Sequence, residues 1–186
     1  MTHYKIKMAF LPNMTKETLA TLMEMLQTGE LCDLLVKGND DLKVHKIHAL
    51  VFASASSQLV PYCDRTPGKE NVLPFSGRVL EEVIKLAYHG KCDINEAILV
   101  EAIDVSTNYK LDIMKSGCKI FLLNNLTVLN MLEFFRIAKN IPGDNCQFLI
   151  LKFLARNIKT MTNDAIKVFP KEDIKALLGH LSLNLT

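Results

Sequence analysis

The 186-residue sequence predicts an α+β fold in which a small sheet lies on one face of a helical cluster, and three observations point to it. Two short apolar runs, Leu34–Val36 and the stretch ending at Ile47, flank Gly38-Asn39-Asp40-Asp41. Those turn residues reach φ > 0 cheaply, so an antiparallel hairpin joined across Lys37 to Leu42 is expected. One more short apolar run, Val72-Leu73, follows, and everything after Cys118 has helical spacing and no strand pattern.

Composition narrows the function. The chain is 49% apolar and 23% charged, with 22 basic and 20 acidic residues for a net charge of +2. It holds enough apolar residues for one sizeable core or a domain with an appendage. No Lys/Arg cluster marks a phosphate-tracking surface, and no aromatic residue is interleaved with Arg, so nucleic-acid binding by this segment is not expected. Cys32, Cys63, Cys92, Cys118 and Cys146 stand alone at wide intervals, which argues for a reducing compartment rather than a disulfide framework. Lys5 and Lys7 interrupt any secretory leader, and Asn124, Asn125, Asn130, Glu133 and Arg136 rule out a spanning helix within 120–138. The expectation is a cytoplasmic or nuclear protein with no membrane partner.

Taken in order, Tyr4, Ile6, Met8 and Phe10 alternate with His3, Lys5, Lys7 and Ala9, the pattern of a strand with one buried face. No hairpin partner lies nearby, so such a strand must pair with something distant or with another chain. Thr15 reads as an N-cap. Leu19, Leu22, Met23 and Leu26 then recur at helical spacing until Gly29, a stripe that suits either the protein's own core or a second subunit. After the hairpin, a helix is expected from His48 to about Ala55, and Ser56 or Ser57 caps a short helix through Tyr62. Ser76 caps a helix with the apolar face Val79, Leu80, Val83, Ile84 and Ala87, and Gly90 stops it. Asn95 is expected to cap a helix over 96–107 that is apolar on nearly every side. Helices over 126–139, 146–160 and 171–183 complete the chain, punctuated by Pro142-Gly143 and Phe169-Pro170.

Few residues are spaced for chemistry. His45 and His48 form an H-x-x-H with Asp33 upstream, but no Cys or His pair at finger-type spacing completes a metal set. His48 is expected to bond the backbone or Asp33. No cysteine sits in a Cys-x-x-Cys or a Gly-framed helix start, and there is no phosphate-cradling glycine motif. No cofactor, metal or catalytic residue is expected.

The pattern resembles the BTB (POZ) domain followed by the start of a BACK helical extension, as in Kelch-like adaptor proteins. The residues that carry the resemblance are Cys32-Asp33 at the head of the first strand; His48, Leu50-Val51, Ala53 and Ser56 in an H-K-x-x-L-x-x-x-S run; Tyr88-His89-Gly90; Leu111 and Cys118; and Leu126, Thr127, Val128, Asn130, Leu132 and Ala138. It implies a BTB domain over residues 1–122 and a BACK-type extension over 123–186. It also implies a homodimer in which Leu19, Leu22, Met23 and Leu26 pack across a two-fold axis, with the strand of Tyr4, Ile6, Met8 and Phe10 exchanged between protomers. Members with the extension often hold a cullin scaffold of a ubiquitin ligase and a substrate bound by another region; members without it are more often parts of transcription factors. The cullin-type surface would be Leu59, Val60, Tyr62, Cys63, Glu70 and Tyr109. Two departures stand out. No hydrophobic residue stands two before Glu70, and Ala49 replaces the family's basic residue, which leaves Asp33 without a cation from that side.

Overall fold

In the computed structural model the described residues are 12–141, 145–157 and the single positions 172, 175 and 179. They fall into two compact units, one ending at Cys92 and one beginning at Asp93. The alternating segment of Tyr4 to Phe10 and most of the last expected helix lie outside the described residues.

The first unit runs α1 (Pro12–Thr28), β1 (Leu34–Lys37), β2 (His45–Ile47), α2 (Ala49–Ala55), a 3-10 helix (Ser57–Tyr62), β3 (Glu70–Val72) and α3 (Gly77–His89). The sheet order is β2-β1-β3, with β1 antiparallel to β2 and parallel to β3. Leu34 and Val36 point inward with Ile47, while Leu35 and Lys37 take the other, half-buried face. In the same unit Phe52, Leu59, Leu73, Val79, Leu80 and Val83 are all fully buried. Both α1 and α2 pack against α3.

The antiparallel pairing of β1 with β2 is as expected, but the connection between them is not the expected tight turn. No residue from Gly38 to Asp41 adopts positive φ. The loop is longer than a tight turn because β2 does not begin until His45, and its glycine serves a tertiary contact instead. A Cβ on Gly38 would stand 2.7 Å from Gly77 Cα, so only glycine lets this loop close on the start of α3. Asp40 Oδ1 accepts from Gly77 N (2.7 Å), and Asn39 N donates to Phe75 O (3.0 Å).

Helix boundaries moved for equally local reasons. Thr15 lies inside α1 rather than at its cap, since the helix begins at Pro12, whose fixed φ suits a first turn. β3 spans Glu70–Val72 because its pairing with Leu35 to Lys37 ends there, not at Val72-Leu73. Ser56 and Ser76 cap as expected, accepting from Gln58 N and Val79 N, and Gly90 closes α3 with φ 66°.

The second unit is helical: α4 (Leu99–Asn108), α5 (Asp112–Asn124), α6 (Met131–Ala138) and α7 (Cys146–Asn157). Asn95 closes only a turn, accepting at its carbonyl from Ile98 N (3.3 Å), so α4 starts three residues later than expected. Nor is α4 apolar all round. Leu99, Ala102, Ile103 and Val105 are buried, but Val100 and Asp104 face solvent. α6 begins at Met131 rather than near Leu126, because Thr127 and Asn130 bond each other's backbone (2.7 and 3.3 Å) and hold the preceding turn shut. α4 packs on α5, and α5 and α6 on α7, around Met114, Cys118, Leu122 and Ile150.

Candidate functional site

The residues that look most like chemistry meet at the start of α2. His48 precedes its first turn in extended conformation and is buried. The Glu30 carbonyl can only accept, so His48 Nε2, 3.0 Å away, carries the ring proton. Nδ1 then accepts from the Tyr88 hydroxyl (2.6 Å), whose oxygen in turn accepts from His48 N (2.9 Å). Every polar atom of the pair is thereby satisfied. Cys32 Sγ lies 3.8 Å from Nε2, but a protonated nitrogen cannot take a thiol proton. Burial also pushes the Cys32 thiol up, outweighing the nearby Lys46 ammonium, so the sulfur stays protonated at neutral pH.

Asp33 is not His48's partner. Its Oδ1 accepts from Ala49 N (2.8 Å), capping α2 from a distance, and its Oδ2 meets Arg65 Nη1 at 3.4 Å. The Ala49 N–H holds the Asp33 carboxyl below the ordinary carboxylate range, with Arg65 assisting. The cation expected to be missing at Ala49 is therefore supplied from loop 64–69, thirty-two residues after Asp33, where no local spacing announces it. Among the described residues no group of three or more His, Cys, Asp or Glu side chains is placed to hold a metal ion. No described helix is long and apolar enough to cross a membrane.

The expected partner surface is only partly a surface. Leu59 is fully buried and anchors the 3-10 helix to the core; Val60 beside it is 54% exposed. Tyr62 is half-buried, and Cys63 directs its thiol at the Leu59 carbonyl (3.5 Å) while burial pushes its pKa up. Glu70 is on β3 and pairs with Lys37 at 2.6 Å. Tyr109 caps the end of α4 in the second unit, its N–H bonding the Val105 carbonyl (2.9 Å). On α1, Leu22, Met23, Met25 and Leu26 are each only half-buried; the side chains of Leu19 and of Tyr4, Ile6, Met8 and Phe10 are not among those described. Leu31 (72% exposed) and Leu50 (83%) add two large apolar side chains that periodicity did not single out.

No protein-family model matches the chain, and no curated protein does. Among solved structures, the BTB domain of zebrafish PATZ1 matches with a TM-score of 0.52 at 17% identity, covering 62% of this chain and 97% of that one. The fold is therefore that of a BTB domain: a three-stranded sheet set among helices.

Proposed function

We propose that the chain is a homodimeric protein-interaction module, with the exposed side of α1 as its self-association face. The observation that carries this reading is the half-buried stripe Leu22, Met23, Met25 and Leu26, which one chain leaves partly in water. Leu31 and Leu50 supply further exposed apolar surface in the same unit. Methionine side chains adapt their shape to a partner, and a stable dimer buries about 1,200 Å² or more in total. The alternating residues Tyr4, Ile6, Met8 and Phe10 would add a strand exchanged between protomers. Light scattering on the purified chain tests the reading: a mass of twice 20.9 kDa is expected, and a monomer at every concentration overturns it.

A second reading, a BTB-BACK adaptor of a cullin-based ubiquitin ligase, is favoured by the exposed Val60 at the end of the 3-10 helix. In it residues 123–186 serve as the BACK-type extension, and a region elsewhere holds the substrate. Against it stand Leu59, withdrawn into the core, and Glu70, engaged by Lys37. Titrating a purified cullin N-terminal domain onto the chain separates the readings. Binding that Val60→Asp abolishes supports the adaptor, and no binding at tens of micromolar leaves the dimerising module alone.

A further inference from the structure

A groove of about 350 Å³ runs over the outer face of the sheet, entirely within the first unit. Half-buried Leu35 on β1 lines it. Lys46, the cross-strand partner of Leu35 on β2, stands on one side; the loop that leads into β3 stands on the other and brings Arg65, Pro67 and Lys69. Cys32 lines one end.

The loop wall is tied to the strand it faces. Asn71 Nδ2 donates to the Leu35 carbonyl (3.1 Å) and the Asp64 carbonyl (2.9 Å), and Asn71 Oδ1 accepts from Asp64 N (3.3 Å). The Asp64 carboxylate accepts from Thr66 N (3.0 Å) and Thr66 Oγ1 (2.7 Å) and pairs with Lys69. A wall fixed in this way keeps its shape before a ligand arrives, which lowers the ordering cost of binding.

The charges are unevenly spent. Asp33 and Asp64 are the carboxylates of the groove, and each is engaged by a loop cation, Arg65 and Lys69. Lys46, on β2, forms no ion pair among the described residues. The groove thus offers apolar side chains in Leu35 and Pro67, a fixed wall, and a net positive charge carried by Lys46.

We propose that this groove binds an acidic–aliphatic peptide segment of a partner protein, an aliphatic side chain resting on Leu35 and Pro67 and the adjacent carboxylate on Lys46. The proposal does not depend on the dimer or on the adaptor reading. Opposite charge at such a rim governs selectivity and encounter more than raw affinity, so weak binding with strong sign preference is the expected signature.

The test is amide NMR on the isotope-labelled 186-residue chain, titrated with the probe peptide acetyl-Glu-Leu-Glu-Leu-Glu-amide. Saturable shifts confined to residues 32–35, 46 and 64–69 are expected, with none from the Lys-for-Glu peptide. Lys46→Glu should weaken the acidic peptide about tenfold, roughly twice the effect of one screened surface pair. Lys46→Gln should show a smaller loss in the same direction, which guards against a folding defect in the reversal. Four results would overturn the proposal: no saturation at millimolar peptide, equal binding of the basic peptide, indifference to both Lys46 variants, or glutarate alone binding as tightly, which would make the site one for small acids. The Lys46 side chain lies against Gly29, just past the end of α1, so the mass of Lys46→Glu in solution is measured beside the titration: loss of the acidic peptide in a variant whose mass matches the parent's is the expected result.

Discussion

The two ends of the segment between Cys32 and Lys69 are built on opposite plans. At the near end, the imidazole and the carboxylate are consumed internally: His48 by Tyr88 and Glu30, Asp33 by Ala49 and Arg65. At the far end, ordinary residues reach solvent: Val60 from the 3-10 helix, and Arg65 and Lys69, which pair with Asp33 and Asp64 yet stay more than half exposed, from a loop whose backbone is pinned by Asn71. The contrast teaches that residue type is a poor guide to function here. A His and an Asp near a thiol make scaffold here, because the lone pairs and protons of the first two are already assigned and burial keeps the thiol protonated.

Substitutions can break this contrast, and the largest effect is expected outside both ends, where the hairpin loop meets α3. Gly38→Ala puts a methyl group into the Ser76–Gly77 backbone, which has no flexible atoms to yield, and should cost about 2–3 kcal/mol. Urea unfolding of the variant checks it. At the near end, Tyr88→Phe removes the hydroxyl that serves both His48 N and Nδ1 and leaves them buried and unpaired; a loss of about 2 kcal/mol is expected in the same assay.

That pair also has a pH signature. Burial raises the Tyr88 hydroxyl to about 12 from its ordinary 10.0. The folded state therefore holds this proton more tightly than the unfolded chain. The stability it contributes is fully present below about pH 10 and is lost as pH rises from 10 toward 12. Thermal melts across that window should show a decline that Tyr88→Phe lacks.

Smaller effects follow for Asp33. Asp33→Ala strips the remote cap of α2 and should cost about 1 kcal/mol, whereas Arg65→Ala breaks an exposed pair and should cost about 0.5 kcal/mol or less. If Arg65→Ala proved the costlier of the two, the loop rather than the cap would be holding the near end together. Because the folded-state pKa of Asp33 is lowered, its contribution is present above the ordinary carboxylate range and fades as pH falls through that lowered value.

How far the sequence could be read follows the same physics. Ser76 and Gly90 bracket α3 as expected because caps are local, decided by residues three or four apart. The apolar run Leu34–Val36 announced β1 for the same reason, but not its inner face, since Leu35 is as apolar as its neighbours and only the structure turns Leu34 and Val36 inward. What local pattern could not supply were pairings across 32 and 40 residues: Arg65 with Asp33, and Tyr88 with His48. The purpose of Gly38 was hidden likewise, since a turn glycine and a close-approach glycine look identical in sequence. The candidate partner surface was half legible, because periodicity cannot say that Leu59 turns inward while Val60 beside it turns out.

We place the meeting of two copies at the half-buried stripe of α1. Sedimentation equilibrium on the intact chain and on Met23→Asp/Leu26→Asp tests it most directly, with circular dichroism confirming that both are folded. A dimer that the double substitution converts to a folded monomer is the predicted result; a dimer of unchanged strength in the variant, or a monomeric parent, would contradict it.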